Sequence, residues 1–566
     1  MSFVVLIVLA IIALQGPGSA RLWQEYIAAP DRHPNIPNVS YSGYRYSDVP
    51  IPVHPPEGEA LEGAINVKDF GAVGDGRADD TEAFLRALAT TPNPGWIFVP
   101  EGTYRLTDML RIHRSNLVLF GAGSDKTTLY FEKSLTDILG PYFNPSGRGS
   151  AQGNSLWSLH GGLIWVTTAD AWRPDGAYRD FVQDPEGDGE DHYNWKNPRP
   201  IADVIGKART GDRRISLQLR GDEELPAGLL LLTWHDTQSY TLARHMGGHL
   251  LFDRWTARAV DSTVRDYSTS SKLHRPWRWP VEIKRVLERQ GKRLVVQLKQ
   301  PLRIDIRPEW KVALEVPGTG DGSPGKGYVE EVGIEGLRIE MAPHKPFTHL
   351  QDLGFNGPYF DRAFNCWVRD VVIHRPDVGI SVSSCKNITI REVELTGPPH
   401  HHGFYVRNSS HDILIERFQI KTVDYHGLSI ARRSSGCVFR DGFLASGTFD
   451  SHKGLPFDVV RTNITLSNEG TVGGGPNSGP RNGKRIVHWN IRVLNGKAKH
   501  VYQPDELSMG ALVGVQGVAL SEEKGSWMPE GDKGTIVADH GRVPEPADLF
   551  EAQLRLRRGQ STDGGG

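Results

Sequence analysis

The sequence predicts an all-β protein built as a single-stranded parallel β-helix, and three observations predict it. Four six-residue blocks alternate apolar with charged side chains: Val368-Arg-Asp-Val-Val-Ile, Ile390-Arg-Glu-Val-Glu-Leu, Ile415-Glu-Arg-Phe-Gln-Ile and Phe439-Arg-Asp-Gly-Phe-Leu. They align without gaps, and their starts lie 22, 25 and 24 residues apart. Alternation is the strand period, and repeats of that length carrying several short strands stack as coils. The first three blocks are each followed by a second strand that opens on glycine: Gly379-Ile-Ser-Val, Gly403-Phe-Tyr-Val and Gly427-Leu-Ser-Ile. Finally, the 566 residues include 63 Gly and 37 Pro. That exceeds the ordinary ~12 per cent without reaching the level of a low-complexity chain, as a folded chain with many corners requires. Leucine-rich repeats share the length but demand a Leu/Asn pattern that is absent.

Taken in order, Ser2 to Leu14 form an uncharged apolar run followed by Gln15-Gly-Pro-Gly-Ser-Ala20. Residues 1–20 read as a signal peptide cleaved near Ala20, too short for the ~20 residues of a bilayer span. The protein is therefore expected to be exported, secreted or periplasmic. Residues 21–62, rich in Pro, Tyr and Asn, read as an extended arm. Residues 63–204 hold a first β-helix segment, in which Asp80 or Thr81 is placed to cap a helix over Glu82 to Ala89. Strands follow at Trp96 to Val99 and Leu117 to Phe120. Residues 205–318 interrupt the pattern as an inserted β module, with strands at Ile215–Leu219, Leu229–Thr233, Leu294–Leu298 and Val312–Val316. Eight of the 14 Trp fall between Trp157 and Trp279; they either wall a sugar cleft or fill a core. Residues 319–510 carry the remaining coils, with further rungs expected at Ile334 and Ile486. Residues 511–566 form a tail with a capping helix over Pro546 to Arg558.

Several classes are excluded or left without support. Lys+Arg 65 against Asp+Glu 67 offers no basic excess for nucleic acid, and no stretch reaches membrane length. Three cysteines rule out a disulfide-dense scaffold; Cys366, Cys385 and Cys437 read as buried free thiols. The acidic run Asp184 to Asp191 has oxygen ligands of the kind Ca²⁺ takes but no ordered spacing, and reads as a solvated loop. Asn38, Asn387, Asn408 and Asn463 stand in glycosylation acceptor triplets.

Stacking has a chemical consequence, because equivalent positions in successive coils lie ~4.8 Å apart. Anchoring on Gly379, Gly403, Gly427 and Gly454 gives three columns. One reads Val378, His402, His426, Lys453; the next Asp377, His401, Tyr425, His452; the third Pro376, His400, Asp424, Ser451, with Asp450 one residue further out. A ladder of imidazoles repels itself when fully protonated, so a purely structural reason for it is poor. With an ordinary pKa near ~6.5, neighbouring charges can set one imidazole as base and another as acid. The candidate catalytic residues are His402, His426, Lys453, Asp424 and Tyr425. The candidate substrate-binding residues are His400, His401, His452, Asp450 and Arg375. His411 falls outside the columns and reads as surface. A zinc site built from the histidines alone has no HExxH or paired-Cys spacing to support it, so no metal is predicted.

The segments Asp69-Phe-Gly-Ala-Val-Gly-Asp-Gly-Arg-Ala-Asp-Asp-Thr-Glu-Ala-Phe84 and Val99-Pro-Glu-Gly-Thr-Tyr104 resemble a signature of the pectate lyase superfamily, the rhamnogalacturonase/epimerase-like secreted β-helix proteins. The resemblance implies a right-handed helix, turn and cap roles for Asp75, Asp79 and Asp80, and a polysaccharide substrate. Its members include hydrolases, lyases and phage tailspikes. The Asn-Thr-Asp, Asp-Asp, Gly-His-Gly and Arg-Ile-Lys motifs of the polygalacturonase branch are not intact in these coils. A uronate lyase needs a base for the proton at C5, a cation for the adjacent carboxylate and an acid at the leaving oxygen. His402, His426, Tyr425, Lys453 and Arg375 supply that inventory. No cofactor is fixed by the sequence, although Ca²⁺ is a cation that serves in such enzymes. The expected function is thus a lyase acting on an acidic, uronate-containing polysaccharide by β-elimination. Two readings stand beside it: a hydrolase using Asp424 and Asp450, one coil apart, within the ~5–9.5 Å that carboxylate pairs span, and a non-catalytic carbohydrate-binding surface protein.

Overall fold

A computed structural model describes residues 18–54, 63–144, 154–172, 197–222, 224–237, 239–248, 276–319, 326–345, 348–446, 449–451, 454–467, 482–496, 507–519 and 534–560. Alternating apolar residues make strands, and each strand pairs in parallel with its equivalent one coil on. The longest ladder starts at Ile65–Asn66, Gly95–Val99 and Leu117–Gly121. It continues through Val332–Met341, Trp367–His374, Thr389–Thr396, Leu414–Glu416, Val438–Ser446, Val459–Leu466, Ile486–Val493 and Ala511–Gln516, and ends at Ile536–Ala538. A second ladder joins Leu110–Ile112, Ile164–Val166, Pro358–Asp361, Val378–Ser383, His400–Arg407 and the later half of Gln419–Ile430. A third corner is marked by single bridges linking Phe364, Lys386, His411, Ser435 and Phe457. Inward Val, Ile, Leu and Phe of all coils merge into one continuous core.

The expected all-β solenoid is therefore present, and Val368, Ile390, Ile415 and Phe439 stand in mutual register as their alignment requires. Two rungs differ from expectation. Val459–Leu466 is an additional rung, hidden in the sequence because Arg461-Thr-Asn interrupts the alternation. The rung at Ile486 runs two residues out of the expected phase, since Phe439 pairs with Arg461 and Arg461 with His488.

Between Arg199 and Val316 the chain forms a separate seven-stranded antiparallel sheet, ordered Trp277–Val281, Leu230–Trp234, Ala313–Val316, Arg199–Ile205, Arg214–Leu219, Arg293–Leu298 and Ile283–Gln290. The helix closes beneath this excursion: Leu117 pairs directly with Val332, and Ile164 with Pro358. Trp157 and Trp165 lie in the solenoid core, and Trp234, Trp277 and Trp279 lie in the module's own core. Each is fully buried, so these rings fill interiors and wall no cleft; a burial of 150–250 Å² per aromatic ring explains the preference. The acidic run 184–191 lies outside the described residues.

The N-terminal arm crosses the coils in reverse order. Its helix Ser19–Ala28 packs against Trp489, Val513 and Phe550, and the Ser19 N–H donates to Asp539 Oδ2 (2.7 Å). Asn35 Nδ2 then reaches Gly510 O (3.1 Å), the Gly43 N–H reaches Asp412 O (2.8 Å), the Tyr44 N–H reaches Thr389 Oγ1 (2.8 Å), and Arg45 Nε reaches Glu331 (2.9 Å). Ser19 and Ala20 thus belong to a docked helix, and a cut after Ala20 would remove its first two residues. The tail helix spans Leu549–Arg557 and is capped by Asp548, whose side chain accepts from the Glu551 N–H. Asp75, Asp79 and Asp80 accept hydrogen bonds from nearby N–H groups, which is turn chemistry. Asp80 serves Val73 and Gly74, while Asp79 holds Thr81 at the start of helix Thr81–Thr90. Cys366, Cys385 and Cys437 are buried free thiols. Asn387 and Asn408 are buried and closed to glycosylation, whereas Asn463 is exposed.

Module, arm and coils meet at one buried ionic cluster. Lys386 Nζ donates to Asp412 Oδ2 (2.5 Å) and to Gln300 Oε1 (2.7 Å), and Arg303 of the module pairs with the other Asp412 oxygen. Arg485 grips Asp458 with two bonds of 2.6 and 2.8 Å and also donates to Arg303 O (3.1 Å). The Lys386 ammonium lies 5.4 Å from the Tyr46 ring of the arm and 5.3 Å from Trp279. Burial opposes ionisation of Asp412, but the charges of Arg303 and Lys386 outweigh it and hold the carboxyl below its ordinary range. His411 sits beside this cluster and, contrary to the surface expectation, is fully buried. Its Nε2–H donates to Arg278 O (3.2 Å), so Nδ1 accepts from Ser435 Oγ (2.9 Å).

Two outcomes are expected. Asp412→Asn leaves two cations buried without their partner and lowers stability to urea by about 3–5 kcal/mol, whereas Asp412→Leu combined with Lys386→Met costs less. Burial pushes the His411 imidazole down to about 3 from 6.5, and the same burial pushes His245 to about 3. Between those values only the unfolded chain binds these protons. Their contribution is complete above pH 6.5 and is lost as the pH falls, by about 1.4 kcal/mol per pH unit for each histidine. His411→Gln should flatten the acid limb of the urea midpoint by one proton.

Candidate functional site

The imidazole cluster exists because two glycines let adjacent coils close together. A Cβ on Gly379 would collide with Gly403 O, and a Cβ on Gly403 would come within 2.7 Å of Ile420 Cδ1 and 3.0 Å of Asp424 Oδ2. Where these strands close up, Val378 pairs with His402, His402 with His426, and His400 with Asp424. Rings of neighbouring coils consequently stack. His402 lies 4.7 Å from His426 (24° between planes), and His401 lies 5.2 Å from His426. Within the strand His400–Arg407, His402 stacks on His401 at 4.4 Å and on Tyr405 at 4.2 Å. Tyr425 meets His426 edge-on at 4.7 Å.

Ser451, the fourth member of the third column, is displaced. Ile430 bridges to Ser451, 21 residues on, where the Gly427/Gly454 alignment required 27. Gly454 instead serves as a corner with φ +75°, its carbonyl accepting from the Arg433 N–H (2.7 Å). Asp450 therefore neighbours Ser429 in place of extending the Asp424 column. Its Oδ2 accepts from Ser429 Oγ (2.9 Å) and lies 3.1 Å from His426 Nδ1. Its carbonyl, with that of Leu428, accepts from Arg461 Nη2 (3.1 Å each). His452 and Lys453 lie outside the described residues. Arg375 is not brought to the cluster: it pairs with Glu340 (2.9 Å) and donates to Met341 O (3.3 Å).

The surface segment 348–354 contributes two residues that the columns do not contain. Asp352 Oδ2 lies 2.7 Å from His401 Nδ1. The His349 ring lies 5.0 Å from His401, 4.7 Å from Tyr425 and 5.7 Å from His426. One ligating atom from each of His349, His401 and His426 falls within 4.8 Å of the others. Asp377 anchors the segment, its Oδ2 accepting from the Gly354 and Phe355 N–H groups (2.9 and 2.8 Å) and its Oδ1 meeting His344 Nε2 at 3.2 Å. Burial works against protonation of His344, but the hydrogen bond and charge of Asp377 prevail and raise its pKa.

Burial governs the rest of the cluster. It pushes His400 down to about 3, with His401 adding to the effect. It pushes the Asp424 carboxyl well up, helped by the charge of Asp450, and raises Asp352 with the help of Asp377. His400, His401 and His402 are each 1% exposed, His426 3%, and Asp424 and Asp450 0%. His349 is exposed and Tyr425 half-buried, so these two form the rim that a large ligand can touch.

Fold and sequence together define a parallel β-helix protein of the pectate-lyase-like class. Residues 64–160 match the family model described as rhamnogalacturonase A/epimerase, pectate lyase-like. Residues 423–563 match a domain of unknown function, DUF4955; Asp424, Tyr425, His426 and Asp450 fall within it, whereas His349 and His400 to His402 lie outside both models. Alginate lyase 7 of Azotobacter vinelandii is 37% identical over 86 residues, 13% of this chain and 10% of that protein. The pre-neck appendage protein of Bacillus phage B103 is 37% identical over 78 residues, 14% of this chain and 8% of that protein. The chain thus spans about a tenth of the length of these relatives. Among solved structures, the tailspike protein gp49 from Pseudomonas phage LKA1 is similar with a TM-score of 0.43 at 12% identity, covering 80% of this chain and 64% of that one. No helix among the described residues is long and apolar enough to cross a membrane.

The close approach of the coils is itself testable. Gly379→Ala must push Gly403 away, costing about 1–3 kcal/mol by overpacking. A lowered urea midpoint is expected, whereas an unchanged one would mean the coils are not held this tightly.

Proposed function

We propose that the protein acts on an acidic, uronate-containing polysaccharide and cleaves it by β-elimination at the rim formed by Tyr425 and His349. The observation that carries this reading is a phenol at the surface, edge-on to a stack of imidazoles, with the nearby carboxyls Asp424 and Asp450 fully buried. In the elimination a base takes the C5 proton, the C–H electron pair becomes the C4=C5 double bond, the C4–O bond breaks, and the leaving oxygen takes up a proton. Atoms and electrons balance without an oxidant or a water. Tyr425 is placed at the rim to exchange protons with the sugar, and the imidazole cluster lies directly behind it. Similarity to an alginate lyase segment supports the substrate class. Export is part of the same proposal, supported by the apolar run Ser2 to Leu14, with processing ahead of Ser19 so that the docked helix stays whole.

The hydrolase reading asks two carboxyls to face the glycosidic bond, and the burial of Asp424 and Asp450 speaks against them. The expected product, from alginate, pectin or a glycosaminoglycan, is an unsaturated uronate followed by its ultraviolet absorbance. Tyr425→Phe should lower kcat by at least ~10²-fold, the usual scale for losing an acid–base group. Asp424→Asn, which replaces a carboxyl that burial pushes toward its neutral form, should change it only a few-fold. Reducing ends without ultraviolet absorbance would identify a hydrolase and end this reading. Retention on the polymer with no product would identify a binding protein.

A further inference from the structure

We propose that His349, His401 and His426 form a binding site for a zinc-class divalent cation, held in place by Asp352 and Asp450. This rests on the reading above for the cation's role and on geometry alone for its existence. Three imidazoles from three separate parts of the chain bring ligating atoms within 4.8 Å of one another. Tetrahedral ligation at ~2.0–2.1 Å would set them about 3.4 Å apart, so the triad has to draw in by little more than an ångström. His349 is the member on the exposed segment.

The surroundings fit a ligand set better than a chance cluster. Metal-bound histidines characteristically direct their second nitrogen at a carboxylate, which fixes tautomer and ring orientation. His401 does so toward Asp352 at 2.7 Å, and His426 Nδ1 lies 3.1 Å from Asp450 Oδ2. The Asp450 carboxyl is secured in turn by Ser429 Oγ, which donates to its Oδ2 (2.9 Å), and the main chain of Asp352 is held by Ser155 Oγ, which donates to its carbonyl (2.6 Å). Buried charge is costly unless compensated, and one dication balances the carboxylates of Asp352 and Asp450. With Nδ1 of both histidines on the carboxylate side, Nε2 is the nitrogen that would ligate the metal. The fourth position then opens toward His349 and Tyr425, where a uronate carboxylate can enter.

The chemistry of the donors selects the ion. Imidazole nitrogen suits zinc, cobalt, nickel, copper or iron, while Ca²⁺ takes six to eight oxygens. The cation expected to serve the elimination is therefore a nitrogen-seeking one, and Ca²⁺ should not compete for it. Bound there, it would neutralise the carboxylate next to C5 and so acidify the proton that Tyr425 removes.

The test uses the full-length protein stripped with chelator, reloaded with Zn²⁺ and dialysed. About one equivalent of zinc by elemental analysis is expected, unaffected by excess Ca²⁺, and Co²⁺ in its place should give visible bands of tetrahedral nitrogen ligation. His349→Ala, a surface change that leaves thermal unfolding of the metal-free protein intact, should abolish both signals. Asp352→Asn should weaken zinc affinity ~10–100-fold. Zinc at background level, or a cobalt spectrum unchanged in His349→Ala, overturns the site. One equivalent of zinc without turnover of any polymer upholds the site and sinks the lyase reading. Full-rate formation of unsaturated product by metal-free protein upholds the lyase and removes the cation's role in it.

Discussion

Everything in this molecule depends on one constraint: each coil must hydrogen-bond in parallel to the next, residue for residue. At a ~4.8 Å spacing, side chains 22 to 25 residues apart in the sequence become touching neighbours. A repeated apolar residue becomes a stripe of core, and a repeated histidine becomes a stack. Glycine sets how tightly the stripes can close. At Gly379 and Gly403 no Cβ could be tolerated against the next coil's backbone and side chains, and the imidazoles lie face to face because of it.

The same stacking leaves polar corners to satisfy, and one of them is where the rest of the chain fastens on. Lys386 and His411 occupy successive places along the bridged corner. The inserted module covers that corner with Gln300, Arg303 and Arg278, and the arm brings Tyr46. A buried ion pair adds little net stability over well-packed apolar groups, but it punishes misplacement heavily. Lys386, Asp412 and Arg303 therefore act mainly as a registration mark between module and solenoid.

Much of this was legible in the sequence, for physical reasons that also explain the errors. Val368, Ile390, Ile415 and Phe439 gave away the register because alternation repeated over four coils leaves one consistent phase. His400 to His402 against Asp424 to His426 followed directly from it. Gly454 misled because a corner glycine with positive φ is the same letter as the close-approach glycines at 379 and 403. The tryptophan count revealed abundance but not whether the rings face a cleft or a core. His349 and Asp352 had no signal at all, since they sit in a surface segment that obeys no period, and only folding brings them over the histidines.

The arm carries a consequence of a different kind. Residues of the arm find their partners some five hundred residues later in synthesis: Ser19 bonds to Asp539, Asn35 to Gly510 and Val39 to Gln553. Coils can stack progressively as the chain lengthens, but the strap along their outer face cannot fasten until the coils it crosses have been made. A product truncated before Trp489 is therefore left with Leu22, Trp23 and Tyr26 of the arm uncovered.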